Sequence, residues 1–115
     1  MMLLIAILSL IIPANTYAIK VPVTVIQAEI SAYTSRPEET DDTPFTTAWG
    51  TKTRDGIMAN NCWPLGTLVK YRGRTYRVED RMNRRYGCEV FDVWMSDYEA
   101  ALAFGRQKGD ITIME

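Results

Sequence analysis

The sequence predicts a small, closed β barrel carrying one short helix, and three observations lead there. The chain has 115 residues, 47% of them apolar, which suits a single core. Beyond Lys20 the apolar residues fall in short β-branched and aromatic runs separated by glycine turns. One stretch near the C-terminus carries a helix start signal, and no internal repeat interrupts the pattern. Many short strands with one helix close most readily into a barrel.

The chain opens with a segment of different character. Residues 1–19 hold no Asp, Glu, Lys or Arg, and the apolar run from Leu3 to Ile12 has the length of a signal-peptide core. It is shorter than the ~20 apolar residues needed to cross a bilayer. Pro13 ends it, and Thr16 and Ala18 suit cleavage after Ala18. Cleavage after Ala14 and an uncleaved N-terminal anchor are the alternatives. The expected organisation is a signal peptide over 1–18 and one domain over 19–115. The protein is then exported to periplasm, cell envelope or medium, with no stable membrane insertion after cleavage.

Val21 to Tyr33 is β-branched and apolar, with Pro22 near its start, and reads as one or two strands. Thr34 to Thr47 is a long polar loop with five threonines. Connections of that length inside a compact domain tend to be functional. Gly56 to Ala59, Leu65 to Tyr71 and Thr75 to Asp80 come next as short strand runs, the last two forming a hairpin about Arg72 and Gly73. Arg81 to Gly87 is a basic loop, and Glu89 to Met95 is another strand. Ser96 and Glu99 form a capping-box signature, predicting a helix over Asp97 to Arg106 whose packing face holds Tyr98, Ala101, Leu102 and Gly105. Asp110 to Met114 returns as the last strand.

Thirteen basic and 14 acidic side chains are interspersed, for a net charge of −1. That offers no broad positive field for nucleic acid. With 23% charged and 10% aromatic residues the composition is ordinary for a globular domain. No histidine is present, so a histidine base, a histidine triad and the usual mixed zinc site are excluded, and neither metal nor cofactor is expected. Chemistry falls to carboxylates. Cys62 and Cys88 lack metal-type spacing; in an oxidising compartment they read as a disulfide, with two buried free thiols as the alternative.

Two acids stand out. Strand alternation places Phe91, Val93 and Met95 on one face and Val90, Asp92 and Trp94 on the other. An acid beside an indole and an aliphatic group loses hydration, which raises its pKa toward that of a general acid. Trp94 also offers an apolar platform for a sugar ring. The plainer reading is a surface strand on which Asp92 pairs with Arg81, Arg84 or Arg85. Asp80 shares its alternation with Tyr76 and Val78, and reads as a second acid near Asp92 and as a cap on the amides of Met82 and Asn83, two roles that are compatible.

The order of these pieces resembles the three-aspartate (3D) domain. The resemblance rests on Asp80, a short loop, Val90-Phe91-Asp92-Val93-Trp94, and an alanine-rich helix ending Ala103-Phe104-Gly105-Arg106. Upstream, Ala32-Tyr33-Thr34, Thr47-Ala48-Trp49-Gly50-Thr51 with Asp55-Gly56, and Trp63-Pro64-Leu65-Gly66-Thr67 agree. That module is a six-stranded double-psi β-barrel shared with membrane-bound lytic transglycosylase A and, more distantly, with rare lipoprotein A and expansins. It spans roughly Ala32 to Ile113. The family's first aspartate falls where this chain has Ala59-Asn60-Asn61, and the turn after Asp80 is basic instead of glycine-rich.

The resemblance implies a monomeric, exported protein acting on peptidoglycan glycan strands. Asp92 matches the catalytic acid of a lytic transglycosylase and Asp80 the family's second aspartate, which would orient Asp92 or stabilise positive character at C1 of the sugar. Tyr33, Thr47 and Asn61 are expected polar contacts to substrate, with Trp94 beneath a sugar. The alternative is a non-catalytic, expansin-like glycan-binding barrel that stacks sugars on Trp49, Trp63 and Trp94.

Overall fold

The computed structural model of the protein describes residues 23–36 and 43–114. The expected signal segment and part of the threonine-rich loop lie outside them. In chain order the elements are β1 (Thr24–Tyr33), β2 (Ile57–Ala59), β3 (Leu68–Tyr71), β4 (Arg74–Asp80), β5 (Val90–Trp94), α1 (Tyr98–Phe104) and β6 (Gln107–Met114). The six strands close into a barrel in the order β1-β5-β2-β4-β3-β6, as the strand pattern predicts. β1 pairs with β5 and β2 with β4 in parallel, while the other four pairings are antiparallel. Closure leaves no edge strand exposed among the described residues.

Alternation explains the core. Ile30, Met58, Val69, Val78, Phe91, Val93, Ile111 and Ile113 meet inside the barrel. On the opposite face of β1, β5 and β2 a second cluster joins Tyr33, Ile57, Ala59 and Trp94, with Met82 packed against it. The sheet is therefore apolar on both sides at this point, and the second cluster underlies the cleft that holds the candidate acids.

Local signals set the connections. Arg72 (φ 50°) and Gly73 (φ 77°) are both left-handed, the pattern of a two-residue hairpin turn whose twist matches its strands. The helix departs from its predicted start by one residue. Asp97, not Ser96, is the N-cap, and its carboxylate accepts from the Ala100 amide at 3.0 Å. Gly105 ends the helix with φ 63°. Ala101 is buried and Phe104 packs on the core, whereas Leu102, expected on the packing face, is exposed. Tyr98, Ala101 and Phe104, three apart, define the true face.

Cys62 and Cys88 are joined as a disulfide, with α-carbons 5.2 Å apart. The bridge closes a loop that contains β3, β4 and the basic turn, and its effect on the unfolded chain is worth about 3 kcal/mol. Reduction, or Cys62→Ser with Cys88→Ser, should lower the melting temperature by roughly 12–24 °C for a domain of this size. Equal melting of the oxidised and reduced protein would remove the bridge from the stability of the fold.

Candidate functional site

The site begins with register. Asp92 on β5 stands opposite Ala59 on β2, and Ser31 on β1 stands opposite Asp92. On the other side of β2, Met58 faces Val78, but Ala59 faces Asp80. The register slips there by one residue, leaving Glu79 as an extra position. Such a bulge breaks the two-residue period and re-aims the side chains after it. Asp80 thus leaves the face it was expected to share with Tyr76 and Val78 and joins the row Ser31, Asp92, Ala59. Strand spacing puts the backbones of Asp80 and Asp92 about 9–10 Å apart. The small Ala59 side chain between them leaves the space open.

A cleft of about 670 Å³ covers this row, with Tyr33, Ala59, Met82, Asp80 and Asp92 among its lining residues. Thr43, Pro44, Thr46 and Ala48 of the threonine-rich loop contribute to it, as do Arg81, Asn83, Arg85 and Tyr86 of the basic turn. Its size is that of a small-molecule site.

The two acids are held differently. Asp80 accepts three hydrogen bonds: from the Tyr33 hydroxyl at 2.7 Å, the Ala48 amide at 2.9 Å and the Arg81 amide at 3.0 Å. The expected cap on Met82 and Asn83 is not made, because the Met82 amide donates to Asn61 instead. Asp92 is half-buried and accepts from the Ser31 hydroxyl at 3.0 Å. Burial pushes the Tyr33 hydroxyl well above its ordinary pKa, and the charge of Asp80 and the bond to it push further, with Asp92 and Glu79 adding smaller shifts. Tyr33 is therefore a neutral donor at any physiological pH. Arg81, Arg84 and Arg85 make no ion pair with a described carboxylate; among the described residues those pairs are Arg54–Glu79 and Arg106–Glu29.

Glu79, which nothing in the local sequence singles out, anchors the loop over the cleft. Its side chain has no exposed surface. Its carboxylate accepts from Arg54 Nη2 at 2.6 Å, Arg54 Nη1 at 2.9 Å and the Thr51 hydroxyl at 2.5 Å. The Thr51 and Thr47 hydroxyls lie 2.6 Å apart, and the Trp49 amide donates to the Glu79 carbonyl at 3.1 Å. Glu79 and Asp80 therefore hold successive residues of one turn, one by its side chain and backbone, the other through Ala48. Beyond that turn Trp49 lies over Gly66, where a β-carbon would come within 3.2 Å of the indole.

Burial alone would raise the pKa of Glu79, but the bonds from Arg54 and Thr51 and the charges of Arg54 and Arg77 together outweigh it and hold it low. A depressed carboxylate adds stability that is present above its unfolded value, near 4.5, and is lost as pH falls through the folded one. Arg54→Met should cost about 1–2 kcal/mol at neutral pH, less than a fully buried pair because the Arg54 side chain is 54% exposed. The gap between wild type and variant should narrow as pH drops below 4.5. A gap that stays constant in thermal melts down to acid pH would show that Glu79 is not its source.

The other residues expected at the site surround the acids. Thr47 is buried and its oxygen accepts the amides of Trp49 and Thr51, so it orders the turn outside the cleft lining. Asn61 donates to the carbonyls of Asn83 and Tyr86 and accepts the Met82 amide, which clamps the basic turn. Trp94 is turned into the second cluster, its indole N–H donating to the Ser35 hydroxyl at 2.9 Å, so it supports the cleft floor and presents no open ring face. Only Tyr33, Asp80 and Asp92 are brought together within the cleft. Ser31 was readable in principle, since Glu29, Ser31 and Tyr33 form a polar stripe along β1. Among the described residues no group of histidine, cysteine, aspartate or glutamate gathers as a metal-ligand set.

Asn60, next to Asn61, has a structural part. It is fully buried, its amide donates to the carbonyls of Cys88 at 3.0 Å and Val90 at 2.9 Å, and its oxygen accepts the amides of Cys62 and Trp63. A carboxylate cannot donate to two carbonyls. Position 60 is thus a structural tie between the end of β2 and the start of β5.

Compared with known proteins, the chain matches no family model and no curated protein.

Proposed function

We propose that the protein is an exported murein-acting enzyme that cleaves the bond between N-acetylmuramic acid and N-acetylglucosamine, in the manner of the three-aspartate domains it resembles. The observation that carries the reading is the single row on which Asp92 and Asp80 flank Ala59 beneath an open cleft. The closed six-stranded barrel with its parallel pairs agrees with a double-psi arrangement.

In this reading Asp92 gives its proton to the glycosidic oxygen as the bond to C1 breaks. The resulting carboxylate takes the proton of the muramoyl C6 hydroxyl as that oxygen attacks C1, so a 1,6-anhydro ring forms and the acid is regenerated. No water or nucleophilic carboxylate is consumed, unlike in ordinary glycoside hydrolysis. Asp80, immobilised by Tyr33, Ala48 and Arg81, supplies negative charge near the positive character developing at C1. Ser31 orients Asp92. Incubation with purified murein, followed by mass spectrometry of the products, tests this. Anhydromuramoyl ends are expected, and murein recovered intact would refute catalysis.

One observation favours a second reading, a glycan-binding module without turnover. Phe45 and Trp49, on the loop that contributes to the cleft, are 61% and 44% exposed. Exposed aromatic rings beside a polar groove suit stacking on sugars. Retention on murein with no released fragment would select that reading.

A further inference from the structure

The cleft holds charges of both signs, Asp80 and Asp92 on its floor and Arg81 and Arg85 from the basic turn. The two arginines are used differently. Arg81 Nη1 donates to the carbonyls of Asn60 and Trp63, both at 2.7 Å, and so ties the turn to the barrel. Arg85 makes no such tie. Its Nη2 donates to the Tyr86 hydroxyl at 2.8 Å and its guanidinium lies 4.8 Å from the centre of the Tyr86 ring. Its own amide donates to Asn83 Oδ1, and Asn61 clamps the carbonyls of Asn83 and Tyr86.

Arg85 is thus a cation with no described carboxylate as partner, on a turn already ordered and against a ring that limits its rotamers. A guanidinium in that state has most of its planar N–H fork left for an oxyanion, and little ordering entropy remains to be lost on binding. We propose that Arg85, backed by Tyr86, is a carboxylate subsite beside the acids, so that the cleft selects glycan whose muramoyl residue carries a free carboxylate. The inference rests on the murein reading and names the part of the substrate that the basic turn recognises. That carboxylate has two sources: the O-lactyl group of a muramoyl residue stripped of its peptide, and the acidic residues of an attached stem peptide.

Calorimetric titration at low ionic strength separates them. The purified protein and its Arg85→Gln variant are titrated with peptide-free murein oligosaccharide, peptide-bearing murein oligosaccharide and neutral chitooligosaccharide, after equal melting temperatures are checked. Wild type should bind a carboxylated glycan about tenfold or more tightly than the neutral one. Arg85→Gln should erase that difference while leaving chitooligosaccharide binding unchanged, and Arg85→Lys should restore part of it. Preference for the peptide-free glycan assigns the lactyl carboxylate, and preference for the peptide-bearing one assigns the stem acids. Equal affinity for all three glycans, or a preference that survives in Arg85→Gln, overturns the subsite and leaves the murein reading standing. No binding to any of the three overturns both.

Discussion

Asp92→Asn is expected to reduce release of anhydromuramoyl products by at least the roughly 10²–10⁴-fold that a positioned acid and base contribute. The substitution keeps shape and keeps an oxygen for the Ser31 hydroxyl, so the melting temperature should stay near that of wild type. The carboxylate is removed, and with it the proton it carries and its charge. Asp80→Asn makes the contrast. An amide there can still accept the Ala48 and Arg81 amides through its oxygen, and the Tyr33 hydroxyl can turn to accept from its nitrogen. Turnover should fall less, because charge near C1 is lost but the proton path through Asp92 remains. Wild-type turnover by Asp92→Asn, measured on the same murein, would sink the proposed chemistry.

Asn60→Asp should be the most damaging conservative change in the barrel, costing about 3–5 kcal/mol. It replaces a donor that serves two carbonyls with a carboxylate oxygen pointed at them, in a position with no exposed surface. Both carbonyls lose their partner and a charge is buried facing them, while the nearby Arg81 guanidinium is already engaged by the carbonyls of residue 60 and Trp63. Asn60→Ala removes the repulsion but leaves two amides and two carbonyls short, and should fall between wild type and Asn60→Asp. Urea denaturation of the three proteins gives the order directly. If Asn60→Asp proves as stable as wild type, the asparagine is not a tie between β2 and β5.

The strands around these two positions show how far local sequence reaches. Alternation along β5 was enough to part Phe91 and Val93 from Asp92 and Trp94, and the Arg72-Gly73 turn announced its hairpin. Both depend on neighbours within a few residues. Asp97 and Ser96 are each able to cap a helix, and the choice between them came from which helix face meets the barrel, with Ala101 and Phe104 inward and Leu102 outward.

Everything that depends on a partner strand needed the tertiary structure. Unbroken alternation through β4 would send Asp80 into the core beside Tyr76 and Val78; one extra residue at Glu79, visible only against β2, moves it to the face of Asp92. The burial of Glu79 comes from a loop that folds back from some thirty residues earlier, and Asn60 reads as an ordinary polar residue until Cys88 and Val90 are beside it. Composition and periodicity thus decided that a barrel with two candidate acids would form, because side-chain period and turn chemistry act over short spans of chain. Where those acids point, and what holds them, was settled by register between strands distant in sequence, which no short span contains.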